Sequence, residues 1–163
     1  LRALDAPLTA ATRPVVLVVG HAGDAVAAVA PPEVEVTVAP DWHLGIAHSL
    51  HAALDALEPR PDVDAVCIGL ADQPLIGPDA YRRLVDAHHH GATLAVATYA
   101  GERANPVLLD RTLWRDARAL RGDVGARTLM RTHPVTEVDC SGTGDPTDVD
   151  TLDDLHALER RTT

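Results

Sequence analysis

The sequence predicts a three-layer α/β/α fold built on a mostly parallel sheet. Apolar runs of strand length alternate with segments of helical periodicity along most of the chain, which is the rhythm of strand-helix-strand units. The first run, Val15-Val16-Leu17-Val18-Val19, is continuous and β-branched rather than alternating, as suits a strand covered on both faces. Prolines and glycines mark the connections and no repeat or low-complexity segment intervenes, so residues 1–163 read as a single domain.

The run at Val15 ends in Gly20-His21-Ala22-Gly23, a turn into an alanine-rich helix that Asp24 can cap and Pro31-Pro32 stops. Val34, Val36 and Val38 then alternate with polar residues as a strand does. From Ala47, Leu50, Leu54 and Leu57 recur at helical spacing up to the break at Glu58-Pro59. Ala65-Val66-Cys67-Ile68 reads as a buried strand that leads to Asp72. Pro78-Asp79 opens a helix with Tyr81, Leu84 and Val85 inward. Ala92 to Thr98 and Pro106 to Leu109 read as strands, separated by a loop that includes Arg103-Ala104-Asn105. Two arginine-rich helical segments, Thr112 to Leu120 and Asp123 to Arg131, precede a strand at Thr136 to Asp139. Thr151-Leu152-Asp153-Asp154 resembles a capping box opening a last helix whose inner line is Leu152, Leu155 and Leu158.

Composition narrows the function. All 14 basic residues are arginine and the formal net charge is −10, which disfavours bulk nucleic-acid binding. No apolar run approaches the roughly 18 residues that span a bilayer. Cys67 and Cys140 have neither zinc nor redox spacing and read as inert thiols of a reducing cytosol, so a cytoplasmic location is expected.

Asp72 closes the run Ala65 to Ala71 and is followed by Gln73-Pro74. The carboxyl ends of strands in such sheets form the rim where ligands bind. An acid there can also cap a helix or solvate a turn, but the proline-rich path to Pro78 makes Asp72 a poor cap and favours a ligand role. Asp150 is one of a crowd with Asp148, Asp153 and Asp154, and spacing alone reads it as a solvated helix start. Asp41 to Leu50 sets Gly45 just before a helix, where N–H groups and the Ser49 hydroxyl could face an anion. Taken alone, it is an ordinary loop with Trp42 tucked in. Arg121-Gly122-Asp123-Val124-Gly125-Ala126-Arg127 permits close backbone approach and offers an arginine fork to phosphate. The bland alternative for this region is a solvated helix face. His88-His89-His90 cannot converge on one ion from consecutive helical positions and suits a helix C-terminus.

In order along the chain, these loops resemble the molybdenum cofactor cytidylyltransferase branch of the MobA-like nucleotidyltransferase superfamily. Asp41 to Leu50 is similar to its proline-aspartate, glycine, serine-leucine motif, and Leu70 to Pro74 to its aspartate-glutamine-proline metal loop. Asn105-Pro106-Val107 is similar to its histidine-proline-valine turn, with asparagine in place of histidine. Gly122 to Arg127 resembles its glycine-aspartate-x-glycine-alanine-arginine segment, and Asp148 to Leu155 its closing element. Motifs in the right order are far more specific than any one of them.

The resemblance implies a Rossmann-like sheet of the nucleotide-diphospho-sugar transferase type. It implies Mg²⁺-dependent transfer of CMP from CTP to a phosphorylated acceptor, molybdenum-bound pyranopterin in that branch, with release of pyrophosphate. Asp72 and Asp150 would hold the Mg²⁺, and Asp150 thereby rises from a cap to a second metal ligand. Gly45, His48, Ser49 and Asp72 would serve the nucleotide, and Asn105, Pro106, Gly122, Asp123 and Arg127 the acceptor. A molybdoenzyme would be the partner that receives the product.

The family opens with a strand and a glycine-rich loop carrying arginine and lysine. This sequence holds no such loop and starts at Leu1-Arg2-Ala3-Leu4, inside what should be the first helix. Either it is part of a longer chain, which the absent methionine favours, or it is a homologue that holds no triphosphate in the usual way. A sheet without that central strand would leave unpaired edges on its neighbours. Alternative readings are guanylyl or other nucleotidyl transfer to a different phosphate, a non-catalytic cofactor-binding homologue, and a nicotinamide-dependent reductase of a heterocyclic pigment. The last lacks the Gly-x-Gly-x-x-Gly fingerprint after any predicted strand.

Overall fold

The periodicities above become six strands and five α-helices in a computed structural model, which describes residues 2–149 together with Thr151 and Asp154. In chain order these are α1 (Asp5–Thr9), β1 (Val15–Val19), α2 (Gly23–Ala27), β2 (Val34–Val38), α3 (Ile46–Leu57) and β3 (Ala65–Ile68). They continue as α4 (Pro78–His89), β4 (Leu94–Tyr99), β5 (Glu102–Asp110), α5 (Trp114–Ala117) and β6 (Thr136–Asp139). Short 3₁₀ turns lie at Arg2–Leu4, Trp42–Leu44, Arg111–Leu113 and Ala126–Arg131.

β1 and β2 pair in parallel, Val15 opposite Val34 and Val19 opposite Val38. The other strands form a sheet in the order β3-β5-β4-β6. β4 and β6 are parallel, and β5 is antiparallel to both β3 and β4, so β3, β4 and β6 share one direction. Alternate residues of the inner strands feed opposite cores. Leu94, Val96, Val107 and Leu109 pack against Leu50, Leu54 and Leu57 of α3 and Trp114 of α5, while Ala95, Ala97 and Leu108 pack against Ala80, Tyr81 and Leu84 of α4. A sheet buried on both faces is the three-layer α/β/α arrangement that the continuous apolar runs predict.

Several local expectations are corrected. Arg103-Ala104-Asn105 is not a loop but the first half of β5, with Arg103 opposite Thr98 and Ala104 opposite Ala97. The turn before it is made by Ala100 at φ 51° and Gly101 at φ 85°, tight enough to reverse the chain at once into an antiparallel hairpin. Asp24 does not cap α2. The cap position is Ala22, in the left-handed region at φ 54°, with no side-chain hydrogen bond, and the Gly23 N–H on the Gly20 carbonyl at 3.2 Å closes the turn instead. The arginine-rich segments form shorter helices than their length promised, with glycines at 122 and 125 delaying the second until Ala126.

Those arginines are also not simply a solvated face. The Arg111 guanidinium donates to the carbonyls of Glu58 (2.6 Å), Arg60 (2.8 Å) and Val63 (2.8 Å) and lies 4.6 Å over the Trp114 ring. Such a cation satisfies carbonyls at and beyond the C-terminal end of α3. Arg118 pairs with Asp55 on the same helix and with Glu58 just past its end. Thr151 and Asp154 make the reciprocal capping-box bonds, the Thr151 N–H to the Asp154 carboxylate at 2.9 Å and the Asp154 N–H to the Thr151 hydroxyl at 3.1 Å. The expected inner line Leu152, Leu155 and Leu158 lies outside the described residues.

β3 is apolar but only half-buried along its whole length, against the expectation of a buried strand. The reason is that among the described residues it pairs on one side alone, with β5, just as β1 there pairs only with β2. Residues of both strands line one apolar cavity of about 790 Å³. Among the described residues no helix is long and apolar enough to cross a membrane.

Candidate active site

β3 ends at Ile68 and the chain passes over Tyr81 at Gly69, where a Cβ would stand 2.2 Å from the Tyr81 hydroxyl. Only glycine allows that approach. The loop then turns with the Gln73 N–H on the Leu70 carbonyl at 3.3 Å, which leaves Asp72 exposed just beyond the strand's carboxyl end.

A second segment of chain is laced to this loop. The Gly77 N–H bonds the Thr143 carbonyl (2.9 Å), Ile76 and Gly144 form an antiparallel bridge, and the Asp145 N–H bonds the Leu75 carbonyl (3.1 Å). At the far end the Val149 N–H donates to the Asp72 carbonyl at 2.7 Å. The Gln73 amide fastens the stretch between: its Nε2 donates to the Pro146 carbonyl (2.9 Å) and to Asp148 Oδ1 (2.8 Å), and its Oε1 accepts from Asn105 Nδ2 (3.0 Å). Gln73 is 8% and Asn105 6% exposed, so this polar contact is inside the protein. Asp150 itself lies outside the described residues.

On the other side, Gly45 stands at the start of α3 with φ 113°, and a Cβ there would fall 2.3 Å from the Gly122 carbonyl carbon. The Ala47 N–H in the first turn of α3 donates to that same carbonyl at 3.2 Å. Two loops that are far apart in sequence therefore touch backbone to backbone. Trp42 is not tucked in: it is 42% exposed, with its ring 5.4 Å from that of His21.

The lining of the cavity between β1 and β3 includes Ser49, Gly69 to Ala71, Asn105 and Arg127. Of the residues singled out from the sequence, Ser49, Asn105 and Arg127 thus share one space, next to Asp72. Arg127 is exposed and held by a bond from its Nη2 to the Arg103 carbonyl at 2.5 Å. His48 lies by His51, ring centroids 5.6 Å apart, and the His51 imidazole is held below its usual pKa chiefly by burial. Pro106 is fully buried and shapes β5 rather than lining the cavity. Asp123 is exposed on the Gly122 loop. Cys67 lines the cavity with its thiol pushed up to about 12 by burial, and Cys140 is pushed up to about 11 for the same reason, so neither is a ready nucleophile.

Sequence alone gives Gln73 no role, although it stands inside the most informative motif. The available signal is a long amide between an acid and a proline at a strand's end, where it serves neither cap nor solvent.

Comparison with known proteins follows the same lines. The family model described as the MobA-like NTP transferase domain matches residues 2–138. The Bacillus subtilis (strain 168) purine catabolism protein PucB is 26% identical over 126 residues, 76% of this chain and 60% of PucB, so the chain spans about 60% of the length of that curated relative. The crystal structure of Rv0371c from Mycobacterium tuberculosis H37Rv is 31% identical, with a TM-score of 0.83 over 98% of this chain and 82% of that one. The manganese complex of Rv0371c is 32% identical, with a TM-score of 0.81 over 96% and 83% of the two chains.

Proposed function

Because the chain belongs to the MobA-like NTP transferase family, we propose that it transfers a nucleotidyl group from a nucleoside triphosphate, CTP by preference, to a phosphorylated acceptor such as molybdopterin, releasing pyrophosphate. The observation that carries this reading is the lacing of segment 143–149 to the Asp72 loop, which ends with the Val149 N–H on the Asp72 carbonyl at 2.7 Å. Asp150 is the next residue in the chain.

Asp72 offers the carboxylate oxygen that a hard divalent cation takes. Among the described residues no three His, Cys, Asp or Glu side chains converge as a cage. Mg²⁺ needs none, since one or two carboxylates with substrate phosphates and waters complete its shell. Asp72 and Asp150 would hold it. When bound, the ion neutralises phosphate charge as the leaving pyrophosphate develops. The manganese complex of the similar mycobacterial protein supports the use of a divalent cation.

In this reading Gly45, His48 and Ser49 serve the nucleoside, and Asn105, Arg127 and the Gly122-Asp123 loop serve the acceptor. An oxygen of the acceptor's terminal phosphate bonds to the α-phosphorus. The bond from that phosphorus to the bridging oxygen of the β-phosphate breaks, and the electron pair leaves with pyrophosphate. The acceptor is itself the nucleophile, so the protein's contribution is alignment and charge stabilisation, and no reactive side chain is required.

Pyrophosphate release by the full chain, with CTP, GTP, ATP and UTP in competition and molybdopterin as acceptor, tests this. Release that depends on Mg²⁺, stops with EDTA and consumes CTP first is the expected outcome. A preference for GTP changes only the base. No release from any triphosphate, or release indifferent to EDTA, contradicts the reading.

A further inference from the structure

We propose that Arg103 is a second anion-binding residue for the acceptor's phosphate, held ready by an exchangeable pair with Glu137. This rests on the reading of Asn105 and Arg127 as the acceptor side of the cavity, given above. Arg103 stands two residues before Asn105 on β5, and its main-chain carbonyl is the group that Arg127 Nη2 bonds at 2.5 Å. Two arginines therefore meet beside the acceptor side in a chain whose formal net charge is −10. Among the described residues Arg127 has no carboxylate partner, so no direct pair compensates its charge.

The strand register puts Arg103 and Glu137 on one side of the sheet. Arg103 is opposite Thr98, and Glu137 is opposite Val96, two residues earlier on β4. Val96 packs in the same core as Leu50 and Leu54 of α3 and Ala126 and Leu129 of the turn that carries Arg127. Residues two apart on a strand share a face, so Arg103 and Glu137 stand on the α3 side, where Ser49 and Arg127 also lie. Nε and Nη2 of Arg103 are both 2.7 Å from one Glu137 oxygen, Oε1. That contact sets two prongs of the guanidinium against a single oxygen, whereas a phosphate offers a separate oxygen to each. Both side chains are exposed, 43% and 52%, where an ion pair is worth little and a more highly charged anion displaces the carboxylate. A pair that only strapped β5 to β6 across β4 would lose the same thing whichever end was removed. An arginine that an anion takes over gives effects of opposite sign at the two ends.

The test is binding of a pterin monophosphate to the full chain, followed by the pterin's own fluorescence, beside the same pterin without its phosphate and beside CTP. Arg103→Gln weakens the pterin phosphate about tenfold, as expected for one charge-assisted contact, and leaves the unphosphorylated pterin and CTP as they were. Glu137→Gln tightens the pterin phosphate about threefold, because the exposed pair no longer competes for the arginine. Neither change removes the carbonyl at position 103, so Arg127 keeps its bond. Wild-type affinity in Arg103→Gln, with loss in Arg127→Gln, overturns the role of Arg103 and keeps the acceptor side. Weaker binding in both Arg103→Gln and Glu137→Gln makes the pair a structural strap and overturns the proposal too, as does an equal loss for CTP or for the unphosphorylated pterin. No binding by the wild type, or wild-type affinity in all three variants, overturns the acceptor side together with the proposal. Failure of nucleotidyl transfer is read separately, as absent pyrophosphate release, and opposite shifts at positions 103 and 137 stand without it.

Discussion

Asp72→Ala lowers Mg²⁺-dependent pyrophosphate release by about 100- to 1,000-fold, the size of effect that follows removal of one preorganised charge-stabilising group. The loss falls on kcat, because the carboxylate matters most where charge develops on the leaving group. Asp72 is exposed, and the main-chain carbonyl that accepts from the Val149 N–H is retained by alanine, so that tie between the segments survives the substitution. Asp72→Asn keeps the shape and removes the charge, and it falls nearly as far as alanine. Rates and melting temperatures measured side by side separate the cases: an unchanged rate removes Asp72 from the mechanism, and a matching fall in melting temperature makes it structural.

Gly45→Ala has the second large effect, and on stability as well as rate. Two costs add. A non-glycine residue at φ 113° is strained by about 1–3 kcal/mol. Its Cβ would also stand 2.3 Å from the Gly122 carbonyl carbon and 2.6 Å from the Asp123 nitrogen, backbone atoms that cannot swing away. Overpacking of this kind costs about another 1–3 kcal/mol. Relief requires the Gly122 loop to withdraw from the start of α3, which breaks the Ala47 N–H bond to Gly122 and carries Arg127 away from Ser49. A displacement near 1 Å in a positioned site costs about 100-fold in rate. Urea denaturation and pyrophosphate release on the same preparation check both halves. Gly122→Ala is the informative contrast, since no atom lies within 4 Å of a Cβ there and only its φ of 70° opposes the change.

Elements whose signal is local are legible directly. Val15–Val19 is a strand because β-branched residues follow one another, α3 because Leu50, Leu54 and Leu57 share one face, and α4 because Pro78 fits a first helical turn. The direction of β5 is not legible in that way, because Arg103 and Asn105 are polar and resemble a loop until Ala100 and Gly101 fold them back onto β4. The half-burial of β3 is hidden for the same kind of reason: burial depends on neighbours on both sides, and composition does not say that one side faces a cavity.

The site divides in the same way. Asp72 stands out because an acid ending an apolar run has few structural uses. Ser49, Asn105 and Arg127 gain meaning only from the order of their motifs, and the cavity is where they meet. Gln73 is silent since its partners are Asn105, 32 residues on, and Asp148, 75 residues on, and an amide has no role until the fold supplies them. Pro106, expected at the acceptor site, is instead core, because a residue in a motif need not face the ligand that the motif serves.

Nucleotidyl transfer is tested most directly by following two labels through one turnover. With CTP carrying radiolabel at the α-phosphorus or at the γ-phosphorus, and a phosphorylated pterin as acceptor, the α-label enters the acceptor and the γ-label leaves as pyrophosphate. A γ-label on the acceptor would make the protein a phosphoryl transferase, and neither label moving would leave it a binding protein. Either result contradicts transfer of a nucleotidyl group at Asp72.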